Sequence, residues 1–207
     1  MTAKDYSTVV HERRSVRKYD SSYKLDRALL DEILEEATLA PSSRNLQPWR
    51  FIVIQDQELK KKIRSCAYNQ EPLETASAVI AIIADCEMYH NALKIYRSKF
   101  DQGLMDEVTM QRQIDGIEQL VPHTSFATRL NIATFDCGLV SMQIMLGAKA
   151  RGLDTVPIGG FDHEQVTEAL DLDATRYEPI LLLPIGKAEQ PGFETTRLPL
   201  SDIVDYR

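Results

Sequence analysis

The sequence has few cysteines and no long apolar run, and these shortages exclude several classes of protein. Its 207 residues include three cysteines, an odd number without CxxC spacing. This usage predicts neither a disulfide framework nor a zinc site, and it is typical of a reduced cytoplasmic interior. The longest apolar runs, 78–84 and 180–183, are far shorter than the ~20 residues of a membrane-spanning helix. The charged residues 1–14 do not resemble a secretory signal peptide. We therefore expect a soluble, cytoplasmic protein with no membrane partner.

Positive charge is also scarce. The chain has 24 lysines and arginines against 31 acidic residues, which gives a formal net charge of -7. Such a chain lacks the basic face that sequence-independent binding to nucleic acid requires, so we expect no nucleic-acid partner. Against this acidic background, Arg13, Arg14 and Arg17 stand together around Ser15. We interpret this arginine cluster as one local anion site.

Several familiar catalytic motifs are missing. The sequence contains no GxGxxG, GxxxxGK[ST], GxSxG or HExxH pattern. Its four histidines are scattered without ligand spacing, so we predict no metal site. If the protein is an enzyme, a bound cofactor should therefore carry the chemistry.

The pattern of apolar residues predicts a single domain, 1–207, because no linker, repeat or low-complexity segment divides the chain. At this length, folding buries roughly 70% of the unfolded surface. Runs rich in β-branched residues predict strands at 50–55, 78–84, 155–158 and 180–185. Helical spacing and capping residues predict helices at 5–12, from Asp26 to a stop at Pro41, and at 88–100, 105–120, 126–151 and 163–170. The fold class is α+β, with a small mixed β-sheet flanked by helices.

Three segments carry further structural expectations. Strand 78–84 is apolar throughout, as expected for a central strand that is covered on both faces. Helix 126–151 is apolar around much of its circumference, so it must be buried in a core or a subunit interface, and Gly152 should close it. The mostly polar segment 88–122 is expected to form a mobile helical excursion. The extended C-terminal tail, 189–207, has little core pattern and should lie along a surface, its own or a partner's.

The arginine cluster suits a phosphate group. Guanidinium groups bind phosphate oxygens through paired hydrogen bonds, each worth ~1.5–3 kcal/mol. Ser15 adds a hydroxyl. The alternative is a solvated helix end, where basic residues complement the helix dipole.

Two other polar stretches suit a planar ligand. Neutral donors and acceptors lie between a helix and a strand, and neutral amides can read the edge of a heteroaromatic ring without the cost of a buried charge. Their members are Pro41, Ser42, Ser43, Asn45 and Gln47. The second stretch follows a strand, and its glycines allow backbone amides to approach a ligand. Its members are Pro157, Ile158, Gly159 and Gly160. The alternatives are a well-capped turn and a strand-ending turn.

Taken in order, these stretches resemble the FMN-dependent nitroreductase family. The resemblance covers nearly the whole chain and rests on joint order and spacing. Its motifs are ERRSVRKYD (12–20), APSSRNLQPWRFIV (40–53), AYNQEPLETASAVIAI (67–82), GLDTVPIGGFD (152–162) and TTRLP (195–199).

The resemblance implies a homodimeric flavoprotein with two FMN sites at the dimer interface, in which 126–151 is the long buried interface helix. It also implies a role for each residue of the cofactor site. Arg13, Ser15 and Arg197 would hold the phosphate, Arg17 would lie by the N1/O2 edge of the isoalloxazine, and Asn69 would bind the pyrimidine edge. Pro157 to Gly160 would lie along the ring, with an amide of Gly159 or Gly160 directed at N5. Pro41, Ser42, Ser43 and Asn45 would come from the opposite subunit.

The chain departs from the family pattern at two positions. Pro72 stands where some members carry a lysine near the N1/O2 edge, which leaves Arg17 as the cation there. Thr195 stands where a lysine precedes the terminal arginine by two residues, which removes one phosphate partner. Arg14 is a candidate to compensate.

The activity that the resemblance implies is an oxidoreductase with a ping-pong mechanism. NADH or NADPH would deliver a hydride, and a small-molecule acceptor such as a nitroaromatic or quinone would then take two electrons. Three alternatives stay open: a related reductase of enones or free flavin, a flavin carrier without turnover, and a helical α+β interaction domain without a ligand. The acceptor would be selected by segment 88–122.

Overall fold

A four-stranded antiparallel sheet lies at the centre of the protein, for which a computed structural model describes residues 5–207. The strands are Trp49–Ile54 (β1), Ala78–Asp85 (β2), Asp154–Thr155 (β3) and Tyr177–Gly186 (β4), in the spatial order β1-β2-β4-β3. The described residues also form eight α-helices: Tyr6–Glu12 (α1), Arg27–Ala37 (α2), Gln57–Cys66 (α3), Pro72–Thr75 (α4), Ala92–Asp101 (α5), Glu107–Leu120 (α6), Phe126–Ala150 (α7) and His163–Ala169 (α8).

The α+β class is confirmed. The four strands form an antiparallel sheet, where the sequence predicted a mixed one. All neighbouring strands run antiparallel. The parallel component is a single bridge between Ser15 and Thr155, which attaches the arginine cluster to the edge of the sheet. Strand 155–158 is shorter than predicted: β3 ends at Thr155, and Ile158 forms a separate bridge to Leu182. Pro157 lies between them and has no N–H to continue the ladder.

Strand β2 is central, as its apolar run predicts. It pairs with β1 on one side and β4 on the other, and every residue from 78 to 85 is buried. Its side chains alternate between two cores. Ile80 and Ile82 belong to a first core that includes residues of α2, α6 and α7. Val79, Ala81 and Ile83 belong to a second core with residues of α3, α4 and α8.

Helix α7 spans 25 residues and crosses the first core. Ser125 caps its start, because the Ser125 hydroxyl accepts from the Thr128 amide at 3.1 Å. Gly152 follows the end of the helix with φ = 73°. Eight of its residues are buried, whereas Phe135 is 69% exposed and Met142 38%. By length and composition α7 could cross a membrane, but in this fold one face packs against the sheet and α2.

The structure refines two expectations. Helix α2 ends at Ala37, and the chain continues in single hydrogen-bonded turns in which Leu39 and Ala40 donate to the carbonyls of Glu36 at 3.2 Å and Ala37 at 3.0 Å. Pro41, which has no N–H, ends this series. Segment 88–122 is helical and packs against the rest of the domain. Its helices α5 and α6 contact each other and contribute buried side chains to the first core, namely Ala92, Tyr96, Met110, Ile114 and Ile117.

The tail lies on the surface, as expected, and it is anchored at its start. The Glu189 amide donates to the Lys18 carbonyl at 2.9 Å. From Glu194 to Arg207 every residue is exposed.

One buried hydroxyl gives a prediction about stability. Thr155 is 1% exposed, and its Oγ1 has no hydrogen-bond partner among the described residues. An unsatisfied buried hydroxyl costs about 1–3 kcal/mol, so the isosteric change Thr155→Val should raise the free energy of unfolding by about 1 kcal/mol. Thermal denaturation should show a midpoint about 2–4 °C higher.

A matched control lies on α7. The buried Ser141 hydroxyl donates to the Cys137 carbonyl at 2.6 Å, so Ser141→Ala should not stabilise the protein. A lower midpoint for Thr155→Val would show that its hydroxyl has a partner in solution.

Candidate functional site

The arginine cluster follows the end of α1 and is fixed to the sheet. Asp5 is the N-cap of α1 and accepts from the Thr8 amide. Arg13 is the C-cap of the same helix. The chain then runs extended, with Val16 buried in the second core. The Val16 amide donates to the Thr155 carbonyl at 3.1 Å. Ser15 is therefore held beside β3, with half-buried arginines on its N-terminal side.

The arginine cluster differs in its partners from the other arginines of the described residues. Within residues 5–207, no carboxylate forms an ion pair with Arg13, Arg14, Arg17 or Arg197, although many other arginines have such partners. Arg14 donates to main-chain carbonyls, and Arg17 Nη1 donates to the Ser15 carbonyl at 3.3 Å. Unpaired guanidinium groups on an acidic protein favour an anion site over a solvated helix end.

The tail passes directly over the cluster. A Cβ on Gly192 would lie 2.6 Å from Arg14 Cβ and 2.8 Å from the Ser15 carbonyl oxygen, so only glycine fits there. Arg197 follows five residues later, which places it within about 17 Å of this contact. Its Nη1 donates to Thr195 Oγ1 at 2.9 Å and to the Thr196 carbonyl at 2.7 Å. Thr195 thus orients Arg197 instead of adding a second charge.

The glycine pair is exposed and open. Ile158 exchanges backbone hydrogen bonds of 2.9 and 3.0 Å with Leu182, and this bridge presents the next two residues at the surface. A Cβ on Gly159 would meet nothing within 4 Å. Its amide has no acceptor among the described residues. This N–H is therefore available to a ligand.

Asn69 lies in a loop that contacts the glycine pair. Arg64 holds the loop, because its carbonyl accepts from the Asn69 amide at 3.0 Å and its Nε donates to the Asn69 carbonyl at 3.2 Å. Gln70 Nε2 then donates to the Gly160 carbonyl at 2.8 Å. Gln70 is a site residue that sequence reasoning missed, since only its position next to Asn69 indicates it.

Loop 41–47 is fixed by hydrogen bonds within the loop and by side chains from other segments of the chain. The Ser42 hydroxyl accepts from the Gln47 amide at 3.0 Å, as in a well-capped turn. Three of its peptide groups have a side-chain partner from elsewhere in the chain. These contacts are Ser43 N to Asp136 Oδ2 at 3.0 Å, Tyr96 OH to the Arg44 carbonyl at 3.0 Å, and Asn91 Nδ2 to the Leu46 carbonyl at 2.7 Å. The three partners were not predicted, because they lie 45 to 93 residues away in the sequence.

A buried ion pair anchors the end of this loop. Asp85 at the end of β2 is fully buried, and its carboxylate accepts from Arg50 at 2.7 Å and from Arg176 at 2.8 and 2.9 Å. Arg50 also donates to the Gln47 carbonyl at 3.2 Å. The sheet and the loop therefore share one charged hydrogen-bond network.

Backbone strain is concentrated in the two candidate loops. Six non-glycine residues in the described chain have positive φ, and five of them are Arg44, Asn45, Gln47, Tyr68 and Asn69. Such conformations cost of order 1–3 kcal/mol each and persist where surrounding contacts impose them, often at functional sites. The strain supports a ligand-binding role for both loops.

The structure divides the predicted residues between the two faces of the sheet. The arginine cluster, Asn69 and segment 157–160 adjoin the second core, through Val16, Ala67 and Ile158. Loop 41–47 adjoins the first core, through Ala40, Leu46 and Trp49. A groove of about 880 Å³ is lined by Asn45 and Gln47 of this loop and by Lys94 and Lys99 of α5.

Comparison with known proteins identifies the family of this chain. The family model described as "Nitroreductase family" matches residues 10–187. The Bacillus subtilis protein YdgI, which carries the name NAD(P)H nitroreductase, is 42% identical over 204 residues, covering 98% of each chain. The CLA biosynthesis enone reductase of Lactiplantibacillus plantarum is 32% identical, covering 98% of this chain and 94% of its own.

A solved structure supports the same assignment. The crystal structure of a nitroreductase from Exiguobacterium sibiricum in complex with FMN superposes with a TM-score of 0.95 and 42% identity, covering 100% of this chain and 99% of its own. Fold, family model and whole-chain similarity agree, and the chain belongs to the nitroreductase family.

Proposed function

We propose that this protein is an FMN-dependent oxidoreductase that takes a hydride from NADH or NADPH and passes two electrons to a nitroaromatic, quinone or similar acceptor by a ping-pong mechanism. The observation that carries the proposal is a set of guanidinium groups without carboxylate partners in the described residues, on the same face of the sheet as exposed glycine amides. A planar anionic cofactor needs both kinds of donor. The FMN complex of the Exiguobacterium relative supports the choice of cofactor.

The phosphate would bind at the arginine cluster. Arg13 and Arg197 offer charge, Ser15 offers a hydroxyl, and no carboxylate in the described chain competes with the phosphate for these arginines. Arg14 lies against the tail at Gly192, where it can replace the lysine that is absent at Thr195. Charge-assisted hydrogen bonds of this kind are roughly twice as strong as neutral ones.

The ring would lie along segment 157–160. When bound, FMN supplies a flavin N5 that can accept a hydride and return two electrons. The free amide of Gly159 or Gly160 would bond to that edge, and Asn69 to the pyrimidine edge. Pro72 is buried and the nearby Lys18 is paired with Glu71 at 2.8 Å, so Arg17 would be the cation at the N1/O2 edge.

A complete site would need two copies of the chain. Loop 41–47 and the glycine pair adjoin opposite faces of one sheet, so a second copy would bring loop 41–47 to the flavin of the first. Apolar side chains beside the loop are exposed, as expected for a surface that a second copy covers: Leu39 is 79% exposed and Phe135 69%. We therefore propose a homodimer with the two cofactor sites between the subunits.

A second candidate is an enone reductase with the same cofactor. The 32% identical enone reductase, which aligns over nearly its whole length, favours it. The two candidates share the flavin and the reductant and differ in the acceptor.

Anaerobic spectroscopy tests the proposed function. Purified protein loaded with FMN should lose its yellow absorbance band after mixing with NADH or NADPH. At turnover numbers typical of enzymes, this loss should be complete within seconds. Stopped-flow reoxidation with nitro compounds, quinones, enones and oxygen would then rank the acceptors. Retention of the yellow band with either nicotinamide would indicate a flavin carrier, and failure to bind FMN would indicate an interaction domain.

The phosphate assignment predicts the effect of Arg13→Ala. Loss of one charged partner should weaken FMN binding by ~2–3 kcal/mol, which is roughly 30- to 150-fold in the dissociation constant. Isothermal titration of the apoprotein measures it. Arg27→Ala is the control, because Arg27 is 88% exposed on α2 and its carboxylate partner is Asp31 of the same helix. Equal affinities for both variants would place the phosphate elsewhere.

The assignment of Arg17 predicts a change in redox potential. A charge in contact with the ring edge contributes about 3 kcal/mol at an effective dielectric of ~20, or ~70 mV for a two-electron couple. Arg17 is exposed, so solvent screening should reduce the effect. Arg17→Gln should therefore lower the midpoint potential of bound FMN by about 30 mV, measured against a reference dye. A potential equal to that of Arg27→Gln would remove this role.

A further inference from the structure

A buried carboxylate lies directly behind loop 41–47. Asp136 is in the middle of α7 and is 2% exposed, with buried apolar residues beside it at Ala133, Cys137 and Val140. Its Oδ2 accepts from the Ser43 amide at 3.0 Å. This contact joins two segments that are 93 residues apart.

We propose that Asp136 is a positioning residue for the cofactor: it holds the Ser42–Ser43 end of the loop in the conformation that meets the flavin. The inference rests on the proposed function, because it assigns to Asp136 the placement of residues proposed to contact FMN. Asp136 would act through Ser43 and would not touch the flavin itself.

The shape of the loop requires such a contact. Arg44, Asn45 and Gln47 have φ of 51°, 56° and 49°, so the chain would leave this conformation if it were released. Tyr96 and Asn91 hold the central and C-terminal part of the loop from segment 88–122. Asp136 holds the N-terminal part from α7. The two serines consequently stay in the lining of an open groove of about 710 Å³, which Asp136 also lines together with Ile132, Phe135 and Leu139.

Ionisation of Asp136 is opposed by its surroundings. Burial raises the pKa of Asp136, and the hydrogen bond from the Ser43 amide lowers it only in part. A raised carboxyl pKa means that the free energy of unfolding falls as the pH rises through that pKa, relative to the protonated carboxyl. The hydrogen bond to Ser43 is therefore what the buried carboxylate contributes to the loop.

Two substitutions test the inference. Asp136→Asn removes the charge but keeps an oxygen acceptor, and Asp136→Ala removes both and leaves a good helix former. We expect the melting temperature of the Asp136→Asn apoprotein to equal that of wild type, because this variant keeps the acceptor for the Ser43 amide without the buried charge. FMN binding to the apoprotein, followed by flavin fluorescence, should weaken about tenfold for Asp136→Ala and about threefold for Asp136→Asn. Hydrogen exchange of the peptide covering 42–47 should speed up in the same order without FMN.

Ser141→Ala is the matched control, since Ser141 is also buried on α7 but bonds only within the helix. It should leave both FMN affinity and loop exchange unchanged. Wild-type affinity in Asp136→Ala would overturn the inference, and so would a parallel loss of melting temperature and affinity in both Asp136 variants. If wild-type apoprotein bound no FMN, the proposed function would fail as well, so the wild-type titration distinguishes the two failures.

Discussion

The complete burial of β2 is the constraint on which the rest of the structure depends. Because no residue of this strand reaches solvent, helices must cover both faces of the sheet, and polar groups can lie only at its ends, edges and connecting loops. The arginine cluster lies at the β3 edge, and segment 157–160 follows that strand. Loop 41–47 precedes β1 on the other face. Covering both faces therefore separates the candidate ligand-binding groups into two sets.

The end of β2 couples this core to one of the sets. A fully buried carboxylate is costly unless it is paired, and Asp85 has two arginine partners. One of them, Arg50, also holds the Gln47 carbonyl. The loop thus takes its position from the same contact that stabilises the strand end, and a shift of the loop would disturb the pairing of a buried charge.

Local patterns in the sequence were sufficient for some parts of this architecture and not for others. Short stretches of sequence are enough to recognise the uniform apolar run of β2 and the arginine cluster. The apolar circumference of α7 is likewise evident from a few turns of the helix. The contacts of Ser43 with Asp136 and of Gln70 with Gly160 join residues 90 or more apart, and no local pattern indicates them. Packing of α6 was predictable in principle, since Met110, Ile114 and Ile117 recur at i, i+4 and i+7, a narrow stripe among polar residues. Pro41 marked where the hydrogen-bonded turns after α2 stop, but no local pattern indicated that the regular helix ends at Ala37.

The two sets of groups are both ordered by protein contacts before any ligand is considered. Arg64 and Gln70 fix the loop of Asn69, and four side chains fix the peptide groups of loop 41–47, although both loops contain left-handed residues that a free chain would avoid. Ordering a loop during binding reduces affinity, so loops that are already held let more of the contact energy appear as affinity. The same two loops contain five left-handed residues, and loop 41–47 uses a buried carboxylate as a hydrogen-bond partner, so their order costs folding free energy. The burial of β2 contributes in the opposite direction, and the fold that it stabilises can hold both loops in strained conformations.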